Sequence, residues 1–525
     1  MRRRSFVAAA AATALARPAL SQASGRVLKF IPEGNLQNPD PIWSTTTVAR
    51  NFGYMVWETL YGVDAKLQPQ PQMCEGHEVS ADKLTWRMRL RDGLKFHDGA
   101  PVLARDCTAS IARWMKRDGF GQRIEAALDE LRAVNDRSFE FRLKRPFPLL
   151  LTGLAHPVAN VCFIMPERIA KTDPFKQIDD YTGSGPYRFL RDEWQPGALA
   201  SFARNEAYVP RQEAPSFVAG GKQAHFDRIE WIVIPDAATA AAAMQSGEAE
   251  WWQSPTADLL PVLRKARNVV VEKLDDYGTI GVMRFNMLYP PFDNVKLRRA
   301  ILPAVNQEDF MGAAFGTDRE LCRTGVGVFT PGSPLANTAG LEALTGKRDF
   351  ELAKKLVAES GYKGERVVFL APTDYPILNA ECQVGSDLLQ KLGLNVDYQP
   401  SDWGTMIIRR NNRETIDKGG WSAFCTAWEA LNLVDPGSHY PIFGNGTKGW
   451  LGWMDSPKLE ELRTAWFDAP DLDAQKKVAE QIQLTVWDEV PYYPLGQYFQ
   501  PIARRNNIEG IVRSPFPLFW NVRRA

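Results

Sequence analysis

The sequence predicts an α/β protein built from two or three domains, and three observations support this prediction. Strand-like and helix-like segments alternate through most of the chain. The length of 525 residues exceeds what a single hydrophobic core usually supports. The region 84–143 departs from the alternation and reads as consecutive antiparallel strands. This region is therefore predicted to be an inserted unit of its own.

Repeated strand–helix units support the α/β class. Residues 229–234 form a predicted strand, which is followed by an alanine-rich helix with Gly247 at its C-cap. Another helix begins at the N-cap Asp349 and is predicted to turn Leu352 and Leu356 inward. The alternation continues with a strand at 367–370, a helix at 384–392 and a strand at 394–398. Such units imply parallel sheets covered by helices.

The antiparallel region has its own local signals. Residues 84–90 alternate between apolar and polar side chains, which is the period of a half-buried strand. Asp-Gly pairs at 92–93 and 98–99 favour tight turns, so residues 94–96 are predicted to form the second strand of a hairpin. A helix follows, and Asp106 is predicted to cap it. None of these residues suggests catalysis, so the element is interpreted as scaffold.

Charge and composition exclude some classes of partner. The 63 Lys and Arg residues balance 62 Asp and Glu residues, which argues against a nucleic acid or an anionic membrane as the main partner. The many aromatic residues can line a solute pocket or fill large cores. The segment 214–226, rich in small residues and glycine, is predicted to be an exposed loop.

The N-terminus is typical of an exported protein. Three arginines precede the apolar run 6–16, and small residues follow, which predicts a signal peptide over 1–23. Arg3 and Arg4 resemble the twin-arginine pattern. No later stretch is apolar for the roughly 18 residues that a transmembrane helix needs. The first cysteine is Cys74, so a lipid anchor at the new N-terminus is not expected, and the mature protein is predicted to be soluble and periplasmic.

Motifs of catalysis and metal binding are not found. The six cysteines contain no C-x-x-C pair, which gives no support to a zinc or redox site, and their disulfide pairing stays open. Neither G-x-S-x-G nor H-E-x-x-H occurs, and the five histidines are scattered. We therefore assign no catalytic residue, metal or cofactor. A secreted hydrolase with two carboxylates and a periplasmic chaperone or sensor remain alternatives.

Several motifs carry a family likeness. LKFHDGAPVLARDCTASIARW, at 94–114, resembles the F-x-D-G-x-P signature of the family 5 extracellular solute-binding proteins, which serve ATP-binding-cassette (ABC) importers of peptides, nickel complexes and related solutes. Four further segments resemble the family in order along the chain: ARNFGYMVWETLYGVDAKLQPQP, GSGPYRF, AAMQSGEAE and FDNVKLRRAILPAVNQEDF. The likeness extends from about residue 27 to the end.

The resemblance implies the two-lobed periplasmic binding protein fold, of type II and of the large class with an extra inserted domain. A hinge joins the lobes, and solute is enclosed between them. The implied divisions are lobe I at 24–65, 183–282 and 498–525, the inserted domain at 66–182, and lobe II at 283–497. The chain crossings are expected near 283–291 and 490–497. The implied partners are a peptide or another small solute and a membrane permease with its ATPase, and the chain is expected to be a monomer.

Solute recognition is predicted in the segment 401–446. Its tryptophans offer rigid apolar faces and its charged groups offer ionic contacts. Together with an asparagine near the first crossing, the candidate residues are Trp403, Arg409, Arg410, Lys418, Trp421, Trp428, Glu429, Asp435 and Asn286.

One departure from the family affects the solute's identity. In peptide-binding relatives, the strand after the Gly-Trp pair is followed by an aspartate that binds the ligand's α-ammonium. Here the corresponding residues, 425–429, read CTAWE, so Glu429 or Asp435 would have to take that role. A peptide could still pair with the main chain of cleft strands, whereas an opine, a sugar or a metal chelate could stack on the tryptophans. The sequence leaves both possibilities open.

Overall fold

The computed structural model describes residues 26–158, 160–316 and 319–525. The predicted signal peptide and its twin-arginine pair lie outside these residues. Within them, no helix combines the length and the apolar character needed to cross a bilayer.

The described residues form strands β1 to β23 and helices α1 to α15. The strands are, in order, Val27–Ile31, Glu58–Thr59, Tyr61–Val63, Pro69–Pro71, Cys74–Val79, Thr85–Leu90, Leu128–Asn135, Ser138–Leu143, Phe163–Ile164, Tyr187–Phe189, Leu199–Arg204, Arg228–Ile232, Trp251–Trp252, Val269–Glu272, Thr279–Phe285, Cys322–Arg323, Arg366–Pro372, Asn395–Ser401, Ala423–Glu429, Tyr492–Tyr498, Ile502–Arg505, Ile508–Glu509 and Arg523–Arg524. The helices are Thr47–Val56, Ala104–Met115, Gly119–Ala127, Leu150–Leu154, Glu167–Ala170, Ala237–Ser246, Leu260–Lys265, Val295–Ile301, Gln307–Phe315, Glu342–Thr345, Phe350–Glu359, Pro376–Lys391, Trp403–Arg409, Pro457–Asp468 and Leu472–Glu489.

Lobe I is built on a seven-stranded sheet in the order β10-β11-β12-β1-β13-β21-β14. Strand β1 lies at its centre and pairs in parallel with β12 and β13. Helix α6 connects those two neighbours. Asp236 caps its N-terminus, and Gly247 ends it at a φ of 84°, which a glycine adopts without strain. The strand–helix unit predicted here is confirmed.

Lobe II is built on a six-stranded sheet in the order β16-β20-β15-β19-β17-β18. Strands β17 and β18 run parallel and are joined by α12, as predicted, whereas β15 is antiparallel to both of its neighbours. Asp349 caps α11 as expected, but Leu352 is 44% exposed, and the prediction that it points inward is wrong. The buried stripe lies one position later, on Ala353 and Val357, because that face of α11 packs on α8.

The inserted unit contains a four-stranded antiparallel sheet in the order β5-β6-β8-β7. The predicted hairpin partner at 94–96 does not form, because β6 already pairs with β5 and β8. Lys95 makes only an isolated bridge with Pro101. Helix α2 begins at Ala104, so Asp106 lies inside it, and its carboxylate accepts a hydrogen bond from the amide of Leu103. Asp106 therefore caps the helix as predicted, but from the third helical position and not from the N-cap position, which Leu103 occupies.

The two chain crossings lie at other positions along the chain than the sequence predicts, next to the lobe I strands β14 and β21. The first is at 273–278, between β14 and β15, and the second is at 499–501, between β20 and β21. The expected crossings at 283–291 and 490–497 instead include the last three residues of β15 and all but the last residue of β20. Both strands are central to lobe II and pair as far as Thr279 and Tyr498, so the crossings run side by side.

The segment 214–226 is not the exposed loop that its composition predicts. Phe217, Val218 and Lys222 are all buried. The Nζ atom of Lys222 donates a hydrogen bond to Oε1 of Glu58 over 2.5 Å, and neither side chain is exposed to water. Small residues allow this segment to pack against lobe I, where the buried ion pair anchors it.

Candidate solute-binding site

Two charged side chains meet in the cleft between the lobes. Thr46 caps α1 by accepting a hydrogen bond from the amide of Ala49, and this helix presents Arg50 from lobe I. Glu429 ends β19 in lobe II. Nη1 and Nη2 of Arg50 donate to the two carboxylate oxygens of Glu429 over 2.6 and 3.1 Å. This bidentate ion pair connects lobe I to lobe II.

The surroundings of Arg50 hold its guanidinium in place. Its side chain is 4% exposed, and the guanidinium lies 4.1 Å from the centre of the Phe516 ring. Burial alone would lower the pKa of Arg50, but attraction to Glu429 outweighs burial and raises it. The guanidinium therefore stays charged in the closed cleft.

Glu33 lies on the same wall of lobe I, just beyond β1. The hydroxyl of Thr47 donates to its carboxylate, and the amide of Glu33 donates to Oε1 of Gln253 over 3.1 Å. The residue remains accessible to water, yet burial, and then the charge of Glu429, raise the pKa of Glu33. Glu33 thus stays in contact with water while protein atoms surround its carboxylate, as we expect for a residue on the wall of a narrow cleft.

Asp275, in the first chain crossing, adds a third carboxylate. Burial raises the pKa of Asp275 to about 6, and the negative charge of Glu429 contributes to the increase. The charges of Glu33 and Glu429 both act on the guanidinium of Arg50, and Asp275 lies within reach of the charge of Glu429. No group of described Asp, Glu, His and Cys side chains has an arrangement that could hold a metal ion.

Aromatic side chains form the wall of lobe II. The rings of Tyr375 and Trp403 are 5.8 Å apart, and Tyr375 is 46% exposed. Burial and the charge of Glu33 raise the pKa of Tyr375, which places this ring opposite lobe I. Trp428 stacks on Tyr440 with ring centres 5.6 Å apart. These rings offer flat apolar surfaces beside the carboxylates.

Some of the predicted recognition residues lie at this cleft. Glu429 makes the interlobe ion pair, and Trp428 precedes it on β19. Trp403 begins α13, beside Tyr375. Arg410 lies close to this group, with its guanidinium 5.3 Å from the centre of the Trp403 ring.

Other predicted residues point elsewhere. Trp421 is 1% exposed and packs on Phe424 and Trp453, and the amide of Asn286 donates to the carbonyl oxygen of Trp421. Neither side chain has a free surface to offer a solute. Arg409 donates to the carbonyl oxygen of Gly419, and Lys418 pairs with Glu414 over 3.5 Å.

Asp435, the alternative replacement for the ammonium-binding aspartate, is also engaged elsewhere. Its carboxylate lies 3.5 Å from Nε2 of His156, a residue of the inserted unit. Between the two candidates, the geometry favours Glu429 as the carboxylate at the cleft.

Sequence patterns did not reveal the lobe I half of the site, namely Glu33, Arg50 and Asp275. These residues lie more than a hundred positions from the segment 401–446, so proximity in sequence gave no hint. One signal was available. Arg50 interrupts an otherwise apolar helix, and a cation on a buried helical face needs an acidic partner from another element.

The architecture and the cleft define the class of the protein. Two α/β lobes, joined by adjacent chain crossings, face each other across a cleft lined by charged and aromatic groups. This is the arrangement of a two-lobed solute-binding protein.

Comparisons with known proteins identify the family. The profile of the bacterial extracellular solute-binding proteins, family 5 Middle, matches residues 68–450. The chain is also 36% identical over 520 residues to the "Probable peptide ABC transporter periplasmic-binding protein y4tO" of Sinorhizobium fredii, covering 99% of this chain and 97% of that protein. The chain belongs to the family 5 extracellular solute-binding proteins.

Solved structures support the fold. A dipeptide-binding protein from a Pseudoalteromonas species, in complex with Met-Leu, gives a TM-score of 0.75 at 20% identity, covering 95% of this chain and 100% of the other. The binding protein AgaA of Agrobacterium tumefaciens, in complex with agropinic acid, gives 0.76 at 18% identity, covering 95% and 99%. At these identities the likeness shows the two-lobed fold alone.

Proposed function

We propose that this protein captures a peptide or peptide-like solute between its lobes and delivers it to an ABC permease and ATPase in the inner membrane. The lobes close around the solute by a hinge motion at the two chain crossings. The N-terminal signal exports the protein through the twin-arginine route to the periplasm, where it acts as a soluble monomer. The protein has no catalytic role in this proposal.

The observation that carries the proposal is the charge arrangement around the Arg50–Glu429 ion pair. Because carboxylates outnumber guanidinium groups here, the cleft favours a solute with a positive group. A peptide's α-ammonium meets this requirement, and its charge beside Glu33 and Asp275 would offset the burial, and then the negative charge of Glu429, that raise their pKa values. The peptide name of the 36% identical relative supports the same solute class.

The remaining cleft surfaces fit the rest of a peptide. Trp403, Tyr375 and Trp428 offer apolar faces to side chains, and the guanidinium of Arg50 can attract a carboxylate. Main-chain pairing to the strand ends at the cleft supplies affinity that does not depend on side-chain identity.

Native mass spectrometry of protein purified from its own periplasm tests the solute class directly. We expect a co-purifying mass that fragments as a peptide. An opine, a sugar or a metal chelate in its place would contradict the peptide proposal while leaving solute capture intact.

Calorimetry with tetraalanine and with N-acetyltetraalanine tests the charge argument. We expect acetylation to weaken binding at least about tenfold, because it removes the ammonium that the carboxylates attract. The matched control is Glu248→Gln, which changes an exposed glutamate of lobe I and should leave both affinities unchanged. Equal binding of the two peptides would show that the ammonium is not recognised.

A further inference from the structure

A second contact between the two halves of the molecule lies outside the cleft. Helix α3 of the inserted unit faces the end of α14 in lobe II. The ring centre of Phe120 is 5.1 Å from that of Phe467, and Phe147 stacks on the same ring at 6.1 Å. Phe120 and Phe467 are both almost fully buried. Because these elements belong to different halves, opening of the cleft would expose the rings.

The contact is closely fitted on the lobe II side. Phe120 lies so near the backbone of Gly437 that a Cβ atom there would come within about 3.0 Å of its ring. Such a distance is shorter than ordinary van der Waals contact, so a larger residue at this position requires the Phe120 ring to shift. Gly437 therefore permits the close approach of the inserted unit.

Three titratable side chains are enclosed beside these rings. Asp118 caps α3, where its carboxylate accepts hydrogen bonds from the amides of Phe120 and Gly121. The ring of His156 lies 5.6 Å from that of Phe120, and its Nε2 atom is 3.5 Å from Oδ2 of Asp435 in lobe II. The other oxygen of Asp435 accepts hydrogen bonds from Gly437 and Ser438. A charged His156 thus has the carboxylate of Asp435 beside it only while the halves touch.

We propose that Asp118, Phe120 and His156 of the inserted unit, with Asp435, Gly437 and Phe467 of lobe II, form a closure latch that holds more tightly when His156 carries a proton. This inference rests on the hinge closure proposed above but not on the identity of the solute. It assigns the inserted unit a part in closure, in addition to its role as scaffold.

The direction of the pH response follows from the contacts. Burial alone would lower the pKa of His156, but Asp435 and then Asp118 outweigh it and raise the pKa in the closed form. Burial also raises the pKa of Asp118 to about 6. Opening separates His156 from Asp435 and returns water to Asp118, so both groups would release protons. Closing therefore takes up protons, and a fall in pH from 8 to 6 favours the closed form.

Asp435 opposes this response only in stronger acid. Burial would raise its pKa, but His156 outweighs burial and lowers it, so Asp435 remains ionised across this pH range. His439 stays neutral, because burial lowers its pKa to about 4. Other titratable or charged groups around the latch are Arg123, Arg145 and Cys162 on the inserted unit, and Tyr440, Glu460, Arg463 and Asp468 on lobe II, where Arg145 pairs with Asp468.

Energy transfer between two dyes tests the latch without any solute. In a Cys322→Ser background, which removes the one cysteine that is not buried, the dyes are attached at Lys144→Cys and Lys477→Cys, on the surfaces of the inserted unit and lobe II. We expect the ratio of closed to open molecules to rise at least about threefold from pH 8 to pH 6. His156→Gln should lose most of this response, whereas the control His225→Gln, on lobe I, should keep it.

A second variant changes the packing of the latch without removing a titratable group. Gly437→Ala should lower the closed fraction at both pH values, because the added methyl group meets the Phe120 ring. A ratio that does not change with pH in the native chain, or that changes equally in His156→Gln, would overturn the latch. Since no solute is added, failure of the peptide proposal would leave this result unaffected.

Discussion

Arg50 of lobe I and Glu429 of lobe II bind each other through two hydrogen bonds across the cleft, of 2.6 and 3.1 Å. Because the two residues belong to different lobes, the pair forms only when the lobes face each other. Arg50 is buried, and its removal or the removal of its partner leaves an unpaired charge in the closed form. The ion pair therefore links the charge of the cleft to its closure.

Glu429→Gln should weaken the binding of tetraalanine by about 30-fold, or roughly 2 kcal/mol. The substitution removes one of the carboxylates that attract the ammonium, and it removes the carboxylate that is hydrogen-bonded to Arg50 when the lobes close. Calorimetry at pH 7 measures the effect, with Glu480→Gln on the exposed surface of α15 as the matched control. An affinity within twofold of the native value would mean that Glu429 does not contribute to the site.

Lys222→Met should destabilise lobe I by about 3–5 kcal/mol, because it leaves the buried carboxylate of Glu58 without its cation. Denaturant unfolding measures the loss. The double variant Lys222→Met with Glu58→Leu removes both charges and should recover much of the stability. If the single and the double variants unfold alike, the cost comes from altered packing and not from an unpaired charge.

Glu381 gives a prediction about stability and pH. Its carboxyl group is fully buried, neither oxygen has a hydrogen-bond partner among the described residues, and burial raises its pKa to about 8. Between its ordinary value near 4.5 and this value, the unfolded chain releases the proton while the folded chain keeps it. Stability is therefore lost progressively as the pH rises through this range, and the loss is complete above pH 8.

Glu381→Met should abolish this dependence and raise the free energy of unfolding at pH 8 above that of the native chain. Thermal or denaturant unfolding at pH 5, 6.5 and 8 measures the difference, and Glu480→Met serves as the exposed control. If the difference in unfolding free energy between the native chain and the variant is the same at all three pH values, Glu381 does not keep its proton in the folded state.

Trp428 should report solute binding. Its ring is half-buried at the cleft and stacks on Tyr440, so a solute that covers it changes its surroundings. Adding tetraalanine is expected to change the intrinsic tryptophan fluorescence and to raise the melting temperature. Trp428→Phe should reduce the fluorescence change while keeping the thermal stabilisation. A fluorescence change of undiminished size would assign the signal to another tryptophan.

Much of the fold could be predicted from local patterns. The helix caps at Asp349 and Gly247 and the units around β12 and β17 depend on residues close together in sequence, and the structure confirms them. The partners of β6 were not found in this way. The turn signals after it suggested a hairpin with residues 94–96, whereas β6 pairs with β5, which directly precedes it in the chain, and with the distant β8.

The site was harder to predict because its halves are distant in sequence. The segment 401–446 contains Trp428 and Glu429, which lie on the lobe II wall of the cleft. The sequence could not show which of its other charged groups face the cleft. The fold decides this, because it pairs Lys418 with Glu414 and places Asp435 beside His156. Arg50 was hidden for the same reason, because its partner lies 379 positions away.

Small-angle scattering of the protein with and without saturating tetraalanine tests the central claim most directly. We expect the peptide to reduce the radius of gyration, because a solute that touches both lobes stabilises the closed form over the open one. If the two profiles superimpose while calorimetry shows that the peptide is bound, the lobes do not close around their solute, and capture by hinge closure is contradicted.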